Sequence, residues 1–162
     1  MFKNLYYYDS YQPLDVKVDS AIHTPYNDAK ILNYSLNIKE LREKTTKFGE
    51  QQERALDMLR VIGGERYHRE FNAWGDSLIT SMKKSISYDD SIRLLGRRIT
   101  PEFMGWAATH KYCYKEKSGT IDTTSQVFIM DNDFTKIINV INIEDDSYDD
   151  CQQIIKKILE RQ

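Results

Sequence analysis

The stretch ILNYSLNIKELREKTTKFGEQQERALDMLRVI (residues 31–62) decides the fold of the first half of this chain. Ile31, Tyr34, Ile38, Leu41, Thr45, Phe48, Gln52, Ala55, Leu59 and Ile62 recur at alternating spacings of three and four. That is the seam of a long helix lying along other helices. Thr24 with Pro25 offers an opening for it, and Gly63 with Gly64 supplies a left-handed stop. Unbroken from Pro25, the helix is about 57 Å long at 1.5 Å per residue. Asn37 with Glu40, a capping-box spacing, and Gly49 are the two places for a break; one helix with at most a bend is expected. The acid-first pairs Glu40/Lys44, Glu43/Lys47 and Glu50/Arg54 belong to its solvated face.

Beyond the glycine pair, Tyr67, Phe71, Trp74, Leu78 and Met82 predict a second, antiparallel helix over about 65–83. Ser87 with Asp90 predicts the cap of a short third helix, ended by Thr100 and Pro101. A partner of about 28 Å leaves the N-terminal half of the long helix overhanging. Its cover would come from the sheet, the last helix, the tyrosine-rich arm or another molecule.

From Phe103 the hydrophobic period drops to two. Trp106, Ala108, His110, Tyr112 and Tyr114 fall on one strand face, with Ala107, Thr109, Lys111 and Cys113 on the other. Turns at 116–119 and 131–133 separate two more strands, 120–130 and 134–143, giving a three-stranded antiparallel meander. Glu144 to Asp150 leads into a last helix with Cys151, Ile154, Ile155, Ile158 and Leu159 inward, its acids at the start and its bases at the end. The expectation is one α+β domain over 1–162, made of an aromatic arm (1–24), a helical part (25–99) and a meander with its helix (103–162).

With 23 basic residues against 25 acidic ones, the chain has no global field to recruit nucleic acid. No apolar run approaches the ~20 residues of a membrane helix, and residues 1–12 lack a signal-peptide pattern. Cytoplasmic location is the default; export would require a removed leader. Cys113 and Cys151 are too few for a disulfide framework or a zinc site and are expected as free thiols.

Candidate chemistry is sparse. Cys113 with His110 suggests an activated thiol, but residues three apart on a strand face opposite ways. His68 beside Glu65 and Asn72 has no second histidine four away, and the acids of 144–150 lack the ladder of a calcium loop. Gly63 and Gly64 follow a helix and lack the rest of a phosphate cradle. No cofactor, metal or catalytic residue is assigned.

A non-catalytic protein-binding role is therefore expected: an inhibitor, immunity-type or assembly component that meets another protein or itself. Tyr6, Tyr7, Tyr8, Tyr11 and Tyr34 are its candidate contacts, tyrosine being favoured at interfaces. One alternative is a small-molecule or hydrolytic pocket lined by Trp106, His110 and Tyr112. Another is single-stranded nucleic-acid binding by Lys83, Lys84, Arg97, Arg98, Lys111, Lys115 and Lys117 with Tyr112 and Tyr114.

Overall fold

A computed structural model describes residues 10–115, 118–143 and 146–161. In chain order the elements are β1 (Gln12–Ile22), α1 (Ala29–Val61), α2 (Glu65–Gly96), β2 (Phe103–Lys115), β3 (Ile121–Met130), β4 (Ile137–Asn142) and α3 (Asp146–Leu159). The class is α+β, as the change of period implies. Two compact units emerge: a sheet unit from the described parts of Met1–Thr24 and Ile99–Asp150, and a helical unit of Pro25–Arg98 with the described part of Cys151–Gln162.

In the helical unit, α1 starts later than Thr24 and Pro25 suggest. Residues 25–27 form a turn, and the Asp28 carboxylate caps the helix by accepting from the Lys30 and Ile31 amides at 3.0 Å each. The helix then runs through Asn37 and Gly49 without a break. Asn37 bonds back to the Asn33 carbonyl, and a β-carbon at Gly49 would lie 3.8 Å from Leu78 of α2, an ordinary contact, so this glycine neither breaks the helix nor is demanded by its neighbour. Gly63 and Gly64, with φ of 69° and 102°, make the stop.

The larger correction concerns α2. It does not end near Lys83, and no separate third helix follows; it is one helix of 32 residues, nearly matching the 33 of α1. Ser87 is an interior residue whose carbonyl accepts the Ser91 hydroxyl. A capping-box spacing without glycine or proline near it does not force an end. Packing decides instead: Tyr88 stacks on Tyr34 at 5.4 Å, and Ile92 is wholly buried. The overhang is thereby removed, because the continuation of α2 supplies the neighbour of the N-terminal half of α1.

The hairpin's core lies toward its open end. Ile31, Ser35, Ile38 and Ile92 are buried there, and Cys151, Ile154, Ile155 and Ile158 are the buried face of α3. Leu159 lies so close to Gly96 that a β-carbon there would displace it, and Gln152 donates to the Tyr26 carbonyl at 3.0 Å. At the other end Val61 is 83 % exposed and Ile62 62 %.

Among the described residues the sheet has four strands, not three. All pairs are antiparallel in the order β1-β2-β3-β4. What the sequence suggests is an aromatic arm contains β1, paired with β2 from Gln12↔Cys113 to Ile22↔Phe103. The chain leaves the sheet at His23, whose amide donates to the Glu102 carbonyl at 2.8 Å, and returns beside that point after the whole of α1 and α2.

Candidate interaction surface

Residues opposite one another in an antiparallel pair share a sheet face. The registers put Val16, Val18 and Ser20 of β1 on the same face as His110, Ala108 and Trp106 of β2, and as Gln126, Phe128 and Met130 of β3. Asp15, Lys17 and Asp19 lie on the opposite face with Lys111, Thr109 and Ala107.

The first face has a buried aromatic row at its centre. His110 stacks on Tyr112 at 5.2 Å, Tyr112 meets Tyr114 at 6.0 Å, and Phe128 lies beside His110. Tyr11, just before β1, approaches both His110 and Tyr112. The Nδ1 atom of His110 meets the Asp15 carbonyl at 3.3 Å. A carbonyl only accepts, so Nδ1 carries the proton, and in the neutral ring Nε2 then accepts from the Tyr11 hydroxyl. Both nitrogens are engaged structurally. Tyr112 donates to Gln126 Oε1 at 3.2 Å, and burial, aided by nearby Tyr11, holds its phenol above the usual range.

Trp106 belongs to a different cluster at one end of the sheet. Its ring stacks on Phe134 at 5.6 Å and meets Phe103 edge-on at the same distance, while its indole N–H donates to the Asn132 carbonyl. Phe134 has φ of 57°, an unusual conformation for a bulky residue. Asp131 braces this turn: its carboxylate accepts the Thr135 hydroxyl, the Thr135 amide and the Lys136 amide. The hydroxyl bond is the first cause that lowers the Asp131 carboxyl below its ordinary value, followed by the Lys136 amide. The three residues suggested as a pocket wall thus divide. His110 and Tyr112 share one packed row, and Trp106 belongs to the turn cluster.

Tyr6, Tyr7 and Tyr8 lie outside the described residues. Tyr11 is half-buried against His110, and Tyr34 is half-buried on Tyr88 in the helical unit. Cys113 opposes Thr123, with its sulfur 3.6 Å from the Thr123 hydroxyl, so it faces away from His110. Among the described residues no cluster of three His, Cys, Asp or Glu side chains is arranged to hold a metal. Of the basic candidates, Lys83 and Lys84 lie within α2 while Arg97 and Arg98 follow its end, about 20 Å of helix rise away, and Lys117 lies outside the described residues. An open groove of about 330 Å³ between α1 and α2 is lined by Phe48, Asp76, Ser77, Thr80 and Ser81, a place the sequence did not suggest.

The surface that sequence reasoning missed is β1 itself. It is an edge strand, and no other strand pairs with its outer edge among the described residues. Leu14, Val16 and Val18 are 54 %, 55 % and 50 % exposed, while their neighbour β2 holds the buried row. The signal was present as the alternation Val16-Lys17-Val18-Asp19, overshadowed by the tyrosines before it.

No protein-family model, no curated protein and no solved structure matches this chain. No helix among the described residues is long and apolar enough to cross a membrane.

Proposed function

We propose that this protein is a non-catalytic binding component, of the inhibitor, immunity or assembly kind, and that it receives a strand of its protein partner at the outer edge of β1. The observation that supports the reading is the run of exposed apolar side chains on a long edge strand. An edge strand offers a row of backbone donors and acceptors, and strand addition satisfies them while flanking side chains supply selectivity. Alternate positions Val16 and Val18 would give such a partner apolar contacts on one face, and Lys17 with Asp19 polar ones on the other.

A photo-crosslinking amino acid at Val16 or Val18, compared with the same group at exposed Glu53 on α1, tests this. Discrete adducts from the β1 positions alone are the expected result. Equal labelling at Glu53, or none at β1, overturns the proposal.

A further inference from the structure

We infer that the strand received at β1 is β1 of a second copy of this chain, related to the first by a two-fold axis through Val18. This rests on the reading of β1 as a docking edge and adds the partner. A two-fold pair of antiparallel strands sets residue i opposite residue j with a constant sum, so the register is named by the residue on the axis. Pairing of β1 with β2 is regular only from Asp15 to Ala21, between irregularities at Pro13/Asp15 and Ala21/Ile22. The midpoint of that regular segment is Val18.

About this axis Lys17 lies opposite Asp19 of the second copy, and Asp19 opposite its Lys17. Val18 meets Val18, Val16 meets Ser20, and Asp15 meets Ala21. Both charged pairs are of opposite sign and sit on one face, while the valines sit on the other. The neighbouring registers are worse. An axis at Lys17 places lysine on lysine and Asp15 on Asp19; an axis at Val16 draws in Pro13, which has no amide proton, and the extra residue Leu14. Charges and proline on an edge ordinarily obstruct strand addition. Here the alternation of Lys17 and Asp19 about a valine obstructs strands of other charge pattern and matches its own.

The test uses the full chain and its variants, checked by far-UV circular dichroism and weighed by sedimentation velocity over a wide concentration range. The natural chain is expected to form a concentration-dependent dimer. K17E, which turns both cross-strand pairs repulsive, should raise the dimer Kd about tenfold or more, and the swap K17E/D19K should restore it. Asp15→Asn, which removes only the acid 4.0 Å from Lys17 within its own chain, should not weaken it. Mixed with the swap variant, the natural chain should self-sort, since every cross pair in a mixed dimer joins like charges. A natural chain that stays monomeric, a K17E variant that dimerises as well, a swap that does not rescue, or free formation of mixed dimers each overturns the inference. A monomeric chain whose Val16 probe still captures a different protein overturns the second copy alone and leaves the docking edge standing. A monomer with no adduct overturns both.

Discussion

The two units of this molecule are held in shape by different means. In the sheet unit the critical constraints are in the backbone. Gly105 has φ of 137°, and a β-carbon there would lie 1.9 Å from the Met130 carbonyl oxygen, while Phe134 is kept left-handed by the turn that Asp131 braces. In the helical unit the constraint is apolar volume, with Ile31, Ile92 and Ile155 showing no exposed surface. One unit is therefore most vulnerable to an atom added, the other to atoms removed.

The sharpest way to break this contrast is Gly105→Ala. It adds one methyl group where strand backbone already stands and demands a disfavoured φ, so a loss of about 3 kcal/mol or more is expected. Chemical denaturation followed by near-UV dichroism of the aromatic rings measures it; a cost under about 1 kcal/mol would mean the sheet tolerates what its backbone forbids. Next comes Ile155→Ala in α3, expected to cost 2–5 kcal/mol, about 3 as a central figure, from lost burial and the cavity left behind. If it costs less than the loss of a helix cap, volume does not hold the helical unit. That cap supplies the next measurement, since Asp28→Ala should remove about 1 kcal/mol and shift Tm by a few degrees.

The smallest effect is a pH dependence confined to the β3–β4 turn. The Asp131 carboxyl is lower in the folded protein than in the unfolded chain, so its contribution is present above the ordinary carboxylate value and is lost as pH falls through the folded one. The fluorescence of Trp106, bonded to this turn and stacked on Phe134, should change over that acid window, and Asp131→Asn should abolish the change. A change that persists in the variant would place the acid response elsewhere.

Much of this was legible in the residues, for reasons that can be named. A period of 3.6 with a glycine pair specified α1 and its turn, and a period of two specified β2, whereas β3 followed from its threonine, valine, isoleucine and phenylalanine content, its adjacent Phe128 and Ile129 both being buried. β1 was missed because an edge strand exposed along nearly its whole length carries only its own alternation, and Pro13 weakens even that. The length of α2 exceeds what the sequence suggests because Ser87 with Asp90 has the spacing of a helix cap, whereas Tyr34 stacked on Tyr88 and buried Ile92 hold the helix through them. The placement of His110 and Tyr112 on one face followed from spacing. The bond from Tyr11 to His110 joins residues far apart in the chain, and no local pattern announces it.

The position of α1 and α2 between β1 and β2 bears on how the molecule folds. The meander β2-β3-β4 closes through short turns, and the two long helices zip from Gly63 and Gly64, so both form from contacts local in sequence. β1 has no such neighbour. Its partner strand begins only after residues 23–102 have passed, and the entropy of closing that loop falls once the hairpin has brought its own two ends to the same side. β1 is thus the strand expected to dock last. Until it does, the edge of β2 that receives β1 is without its strand.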